Sequence, residues 1–257
     1  MKKLLLSVSL LAVSLVASAQ VSFTFNEAWS GARLSYVPTT LDYDGGSDTD
    51  FKGLSLEYFK GFGIIEDMPV FLEVGAGLEW LNWNDETDKF DATIDGKDYE
   101  YSYKSALNIV SLDVPVNVGY KFALQDNITI MPYIGLKARF NMIAKQASWI
   151  KGKDYAKARE EEMEKYLGSD WKDKYEQLYG EEYKDPSKRD GVNMFDEDKV
   201  GKQTLKRFLL GWQIGATATY NQYSLSISYG SCFTDEIING IDDCSFGGTT
   251  ISVGYTF

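Results

Sequence analysis

The last nine residues of the chain alternate strictly between large apolar and small side chains. One face carries Thr249, Ile251, Val253, Tyr255 and Phe257, and the other carries Thr250, Ser252, Gly254 and Thr256. A period of two indicates a strand that separates two different environments. In a membrane barrel the closing strand turns apolar side chains towards lipid and small polar ones inwards. We therefore predict a C-terminal assembly strand that presents Val253, Tyr255 and Phe257 to lipid.

The same alternation recurs in seven earlier segments of the chain. They are residues 28–37, 51–63, 70–83, 106–122, 128–142, 205–220 and 223–231. The connections between them are alternately long and short, as in membrane barrels with short periplasmic turns and longer outer loops. The pattern predicts an all-β fold, an eight-stranded antiparallel up-and-down transmembrane β-barrel formed by residues 20–257. Both termini are then periplasmic and the long loops extracellular.

The first residues have the features of an export signal. Lys2 and Lys3 precede an apolar run at 4–16, and a small-residue cleavage motif occupies 17–19, before Gln20. This pattern predicts a cleaved signal peptide at residues 1–19. No later run approaches 18 apolar residues, which excludes a helical membrane protein. The formal net charge of −12 argues against a nucleic-acid partner.

Two cysteines, Cys232 and Cys244, occur in this exported chain. Exported proteins with paired cysteines commonly form disulfides. We therefore expect a disulfide that closes the loop before the last strand.

The composition argues against an enzyme and against a metal or cofactor. The chain has no histidine, which excludes Ser-His-Asp and Cys-His nucleophile systems and His-ligated zinc. Glu73 and Glu79 are carboxylates that could act as acid and base, but no nucleophile accompanies them. One loop carries four acids whose spacing does not match a calcium-binding loop, and we interpret it as a solvated loop. These acids are Asp42, Asp44, Asp48 and Asp50.

The inner faces of the predicted strands carry charges of both signs. They are Arg33, Glu57, Glu73, Glu79, Asp113, Lys121, Lys137 and Arg139. An eight-stranded barrel has an interior that side chains fill. We therefore interpret these residues as an ion-pair network in the lumen and not as a path for a solute.

The longest connection, residues 143–204, is charged and has a helical pattern in its middle. Its aromatic residues support two interpretations. In the first, a helical cap packs its aromatic residues on itself or on the barrel rim. In the second, the segment is a lid that binds an extracellular protein or glycan, with Trp171, Tyr175 and Tyr179 as anchors.

Four stretches resemble a known family. They are SLDVPVNVGYKF at 111–122, PYIG at 132–135, GWQIGA at 211–216 and GYTF at 254–257. Together they resemble the strands of the PorT-like outer-membrane β-barrel family. The resemblance implies an integral outer-membrane protein and specifies no activity. Pro115 lies within the first stretch, and a strand accommodates proline only at a bulge or a break in the ladder.

Three hypotheses about function follow from these patterns. The first is an outer-membrane barrel that anchors extracellular loops for surface interaction or a structural role. Its partners are then membrane lipid, the barrel-assembly machinery and an extracellular protein or glycan. The second is a narrow channel or an accessory subunit of a secretion or uptake complex. The third is a soluble exported barrel that binds an apolar ligand.

Overall fold

The structure is a computed structural model that describes residues 23–43, 48–66, 68–125, 127–180 and 182–257. The predicted signal peptide at residues 1–19 and Asp44 lie outside the described residues.

The described chain contains twelve strands. They are β1 (Phe23–Tyr36), β2 (Thr39–Tyr43), β3 (Thr49–Ile65), β4 (Met68–Glu86), β5 (Phe90–Ile94), β6 (Lys97–Tyr120), β7 (Phe122–Gln125), β8 (Ile128–Lys151), β9 (Gly191–Asn193), β10 (Phe208–Tyr220), β11 (Tyr223–Cys232) and β12 (Cys244–Thr256). Eight of them form a closed antiparallel ring in the order β1, β3, β4, β6, β8, β10, β11 and β12, which pairs again with β1. The predicted eight-stranded barrel is therefore confirmed, and closure leaves the barrel strands without an open edge.

The outer surface of the ring is apolar. The register pairs Leu56 with Leu34 and Leu78, and these side chains are 62%, 54% and 55% exposed. Similar outward positions follow on the remaining strands, including Ile134, Leu225 and Val253. We call this surface the apolar belt. Water would disfavour so large an exposed apolar surface, whereas lipid favours it. A soluble barrel with an apolar interior would show the opposite arrangement.

The two ends of the barrel differ. The turn end, as we call it, carries short connections such as 221–222, and the backbone N–H of Phe257 donates to the carbonyl of Ser30 there. At the opposite end, the loop end, β4, β6 and β8 extend as a ribbon. Strand β8 is longer than the predicted segment 128–142, since it continues to Lys151 through pairing with β6. The hairpin turn between β5 and β6 has positive φ at Asp95 and Gly96, as expected for a type I′ turn.

Pro115 interrupts the β4–β6 ladder but keeps its pairing in the β6–β8 ladder. Val74 pairs with Val116 and Gly77 with Asp113, but the β4–β6 ladder has no pair between these two. On the opposite side Pro115 pairs with Lys137 of β8. Because proline has no N–H to donate, the ladder breaks locally, as the sequence predicted.

The described residues form three helices at the loop end: α1 (Lys153–Leu167), α2 (Trp171–Tyr179) and α3 (Glu197–Val200). Helix α1 packs beside the ribbon, where the rings of Tyr155 and Tyr101 stack at 4.0 Å. Lys165 forms an ion pair of 2.7 Å with Asp95 at the hairpin tip. None of the described helices combines the length and the apolar character that a membrane-spanning helix needs.

An apolar cluster covers the lumen at the loop end, and we call it the loop-end core. It consists of Val37, Leu41, Phe51, Leu81, Ile109, Ala144, Met194, Leu205, Leu209, Ile237, Ile238, Cys244 and Phe246. Its members come from the inner faces of the strands and from the connections that follow β1, β9 and β11. Phe51 meets Phe246 edge to face at 5.7 Å. The core closes the barrel above the polar interior.

Candidate functional site

The lumen contains two separate groups of buried charges, and ion pairs join the side chains within each group. The first surrounds Arg33, whose guanidinium lies 2.5 Å from Glu73 and 3.2 Å from Glu57. Asn117 donates to Glu73 at 3.3 Å and accepts from Gln213 at 2.6 Å. The amide of Gln213 therefore extends the network to β10, a strand that carries no charged residue.

The second group lies closer to the loop end. Arg139 Nε donates to Asp113 at 3.1 Å, and the same guanidinium also pairs with Glu79. Lys137 lies 3.3 Å from Asp113 and 3.7 Å from Glu79. Arg139, Asp113 and Glu79 have at most 6% of their side chains exposed.

These contacts bring seven of the eight predicted lumen charges together. Glu73 and Glu79 lie in separate ion pairs, so the carboxylates considered for acid–base chemistry do not face each other. The cavity between the two groups has a volume of about 40 Å³. That volume holds only a few water molecules and does not form a continuous path for a solute.

Lys121 lies outside the two groups, towards the turn end. Its ammonium is 5.6 Å from the centre of the Trp29 ring. Both residues line a separate cavity of about 310 Å³, which we call the turn-end cavity. The sequence pattern placed Lys121 on the inner face but did not show how far along the barrel axis it lies.

The two cysteines are free thiols, and the predicted disulfide is not formed. The β11–β12 ladder pairs Ser231 with Gly247, so the same register places Cys232 opposite Phe246. Cys244 lies two residues further along its strand, which separates the two Cα atoms by about 8 Å at strand spacing. A disulfide requires Cα atoms closer than about 7 Å. The sequence spacing does not reveal this offset in register.

The aromatic residues of the helical segment divide between buried and exposed positions. Trp171 is only 5% exposed, and its ring lies 4.5 Å from that of Tyr183. Tyr175 packs between Tyr179 and Tyr183. Tyr179 is 64% exposed. Trp171, one of the three anchors of the partner-binding interpretation, therefore lies buried at the centre of the helical cap, as the first interpretation describes.

Polar contacts at the loop end shift the pKa of groups that lie outside the apolar belt. Hydrogen bonds from Lys104, Ser102 and Lys151 lower the pKa of Glu86 to about 2. In the acidic loop, a hydrogen bond and the charge of Asp42 raise the pKa of Asp48. Within the described ranges, no group of three or more acids or cysteines has the geometry of a metal site.

No protein-family model matches the chain, and no curated protein matches it by sequence. The chain resembles three solved outer-membrane proteins in structure. Ail of Yersinia pestis is 13% identical, with 90% of this chain and 99% of Ail covered and a TM-score of 0.35. Neisserial surface protein A is 12% identical, with 90% and 97% covered and a TM-score of 0.36. A major outer membrane protein from Thermus thermophilus is 14% identical, with 88% and 99% covered and a TM-score of 0.34.

These likenesses say nothing about the function of this chain, since the TM-scores are below 0.5 and the identities are low. The barrel fold follows from the hydrogen-bonded ring itself. The resemblance to PorT-like proteins stays a prediction.

Proposed function

We propose that this protein is an integral outer-membrane barrel with a closed lumen, and that it anchors a surface module formed by the ribbon and the helical cap. The single observation that carries the proposal is the combination of an apolar belt outside with paired charges inside. A barrel in lipid needs this arrangement. We further propose that the turn end faces the periplasm and the loop end faces the extracellular side.

The closed lumen favours anchoring over transport. The loop-end core covers one end of the interior, and ion pairs fill the middle. A narrow channel would require both the loop-end core and the lumen ion pairs to rearrange. The hypothesis of a soluble barrel with an apolar ligand is less favoured, because paired charges occupy the middle of the lumen and the outward strand faces are apolar.

The surface module offers exposed apolar side chains for an extracellular protein or glycan. Tyr166, Leu178 and Tyr179 are 72%, 66% and 64% exposed on α1 and α2. Aromatic residues are frequent energetic anchors of interfaces. Photocrosslinking from position 179 on intact cells should capture a partner, and the same probe at buried position 171 is the matched control. Equal capture at both positions would remove support for this role.

The closing strand supplies the remaining part of the proposal. Val253 pairs with Leu34 and Leu225, and the three residues of the predicted assembly strand face outwards. We propose that the barrel-assembly machinery recognises Val253, Tyr255 and Phe257. Phe257→Ser should lower the amount of folded barrel in the membrane, whereas Phe233→Ser in a loop should not.

Membrane integration is tested by an alkaline carbonate wash followed by gel electrophoresis in SDS with and without boiling. The proposal expects the protein in the membrane pellet and a change of mobility on boiling. Release into the supernatant would contradict it. Planar-bilayer recordings of the purified barrel test the closed lumen, and steady channel currents would instead favour the transport hypothesis.

A further inference from the structure

The turn-end cavity has a lining that differs from the rest of the lumen. Its charged lining residues are Lys121 and Arg33, whose guanidinium is also paired with Glu57 and Glu73, and no described residue lining the cavity is acidic. Trp29 and Phe59 form an aromatic wall, and Arg33 lies 3.9 Å over the Phe59 ring. The volume of about 310 Å³ is at the lower end of the range of small-molecule sites.

Two polar atoms of residues that line this cavity have no partner. Among the described residues, Arg33 Nε and Ser224 Oγ are the buried side-chain polar atoms without a hydrogen bond. Arg33 is 6% exposed and Ser224 is 9% exposed. An unpaired buried polar atom costs about 1–3 kcal/mol, so folded proteins normally pair such atoms with protein, water or a ligand. Both unpaired atoms belong to residues that line one cavity, which indicates a binding site.

The position of Gly254 brings the two groups together. A Cβ atom at Gly254 would clash with Oγ of Ser224 and lie 3.1 Å from Cγ of Arg33. The absence of a side chain there leaves room for both groups beside the β12 backbone. Glu57 and Glu73 occupy the other nitrogens of the Arg33 guanidinium, which leaves Nε for a further acceptor.

We propose that the turn-end cavity binds a small organic anion. Its carboxylate accepts hydrogen bonds from Arg33 Nε–H and Ser224 Oγ–H, and its apolar body packs against Trp29 and Phe59. Lys121 adds positive charge to the same cavity. In the proposed orientation, the ligand enters from the periplasm, since ion pairs and the loop-end core close the opposite direction.

The test uses the folded full-length barrel in lipid nanodiscs, with benzoate as the probe. The chain has five arginines, so a ¹⁵N spectrum of their Nε–H groups has few signals. Benzoate should shift the Arg33 signal saturably and leave the Arg207 signal unchanged. Benzyl alcohol supplies the aromatic ring without the charge, and inorganic phosphate supplies negative charge without the ring. Both should bind much more weakly than benzoate.

Two variants separate a built site from general electrostatic attraction. Ser224→Ala removes one hydrogen bond to the carboxylate and should weaken benzoate binding about tenfold. Gly254→Ala should weaken it further, because the added methyl would clash with Ser224 Oγ and displace that hydroxyl. Ser231→Ala, at the loop end, is the matched control. Variants are compared only when their gel mobility shows a folded barrel.

The proposal is overturned if benzoate gives no saturable shift of the Arg33 signal. An equal response to benzyl alcohol or phosphate also overturns it, as does unchanged affinity in the folded Ser224→Ala barrel. The mobility shift on boiling is measured in the same samples. Failure of ligand binding is therefore distinguishable from failure of the barrel proposal.

Discussion

Removal of Arg139 should destabilise the barrel far more than removal of an exposed partner of an ion pair. Arg139 pairs with Asp113 and Glu79, and all three side chains are nearly inaccessible to solvent. Arg139→Met leaves two buried carboxylates that face Lys137 alone, at 3.3 and 3.7 Å. Loss of one partner from a buried ion pair costs about 3–5 kcal/mol, because the remaining charge is uncompensated.

The assay is reversible urea unfolding in lipid vesicles, followed by tryptophan fluorescence and by gel mobility. Lys89→Met is the control, since Lys89 forms an ion pair of 2.6 Å with Glu100 in which both side chains are more than half exposed. Exposed pairs contribute little, so this variant should unfold like the parent. The double variant Arg139→Met/Asp113→Asn should recover part of the lost stability, because it removes one unpaired charge. Equal midpoints for Arg139→Met and Lys89→Met would refute the buried network.

Three further predictions concern the belt, the ribbon and the thiols. Leu56→Arg in the apolar belt should cost about 2–4 kcal/mol of folding free energy in vesicles, whereas Leu178→Arg on α2 should leave that free energy unchanged. Equal losses of folding free energy in the two variants would contradict the claim that the apolar belt faces lipid. The pKa of Glu86 is about 2, below its ordinary 4.5. The contacts of this carboxylate therefore stabilise the ribbon fully above pH 4.5, and that stabilisation is lost as the pH falls through 2. A carboxyl NMR titration of Glu86 with a midpoint near 4.5 would contradict this prediction. Cys232 and Cys244 should each take one alkyl group after unfolding without reductant, as measured by intact mass, and alkylation that requires reductant would indicate a disulfide.

The sequence predicts the barrel well because each strand separates two environments. Leu56 and Glu57 are neighbours in the chain, yet one faces out and the other faces the lumen. Period-two alternation records that difference directly. The break at Pro115 is predictable for a similarly local reason, since the missing N–H belongs to that residue alone.

The details of the site depend on register and on distant packing, which local patterns do not contain. The offset between the two cysteines follows from the pairing of Ser231 with Gly247 across two strands. The burial of Trp171 depends on its contact with Tyr183, which lies beyond the end of α2. Asn117 and Gln213 belong to the lumen network but carry no charge, so a search for charges misses them. Their positions on inner strand faces are the sequence signal that identifies such residues.

The most direct test of the central claim is a spin-label scan across β3 in lipid vesicles. Labels are placed one at a time at positions 54–58 in a background with both cysteines replaced by serine. The account predicts that Leu54, Leu56 and Tyr58 positions are accessible to oxygen dissolved in lipid and shielded from a water-soluble nickel chelate. The Ser55 and Glu57 positions should be shielded from both. High nickel accessibility at Leu54, Leu56 and Tyr58, or no alternation along the strand, would contradict a barrel that spans the membrane.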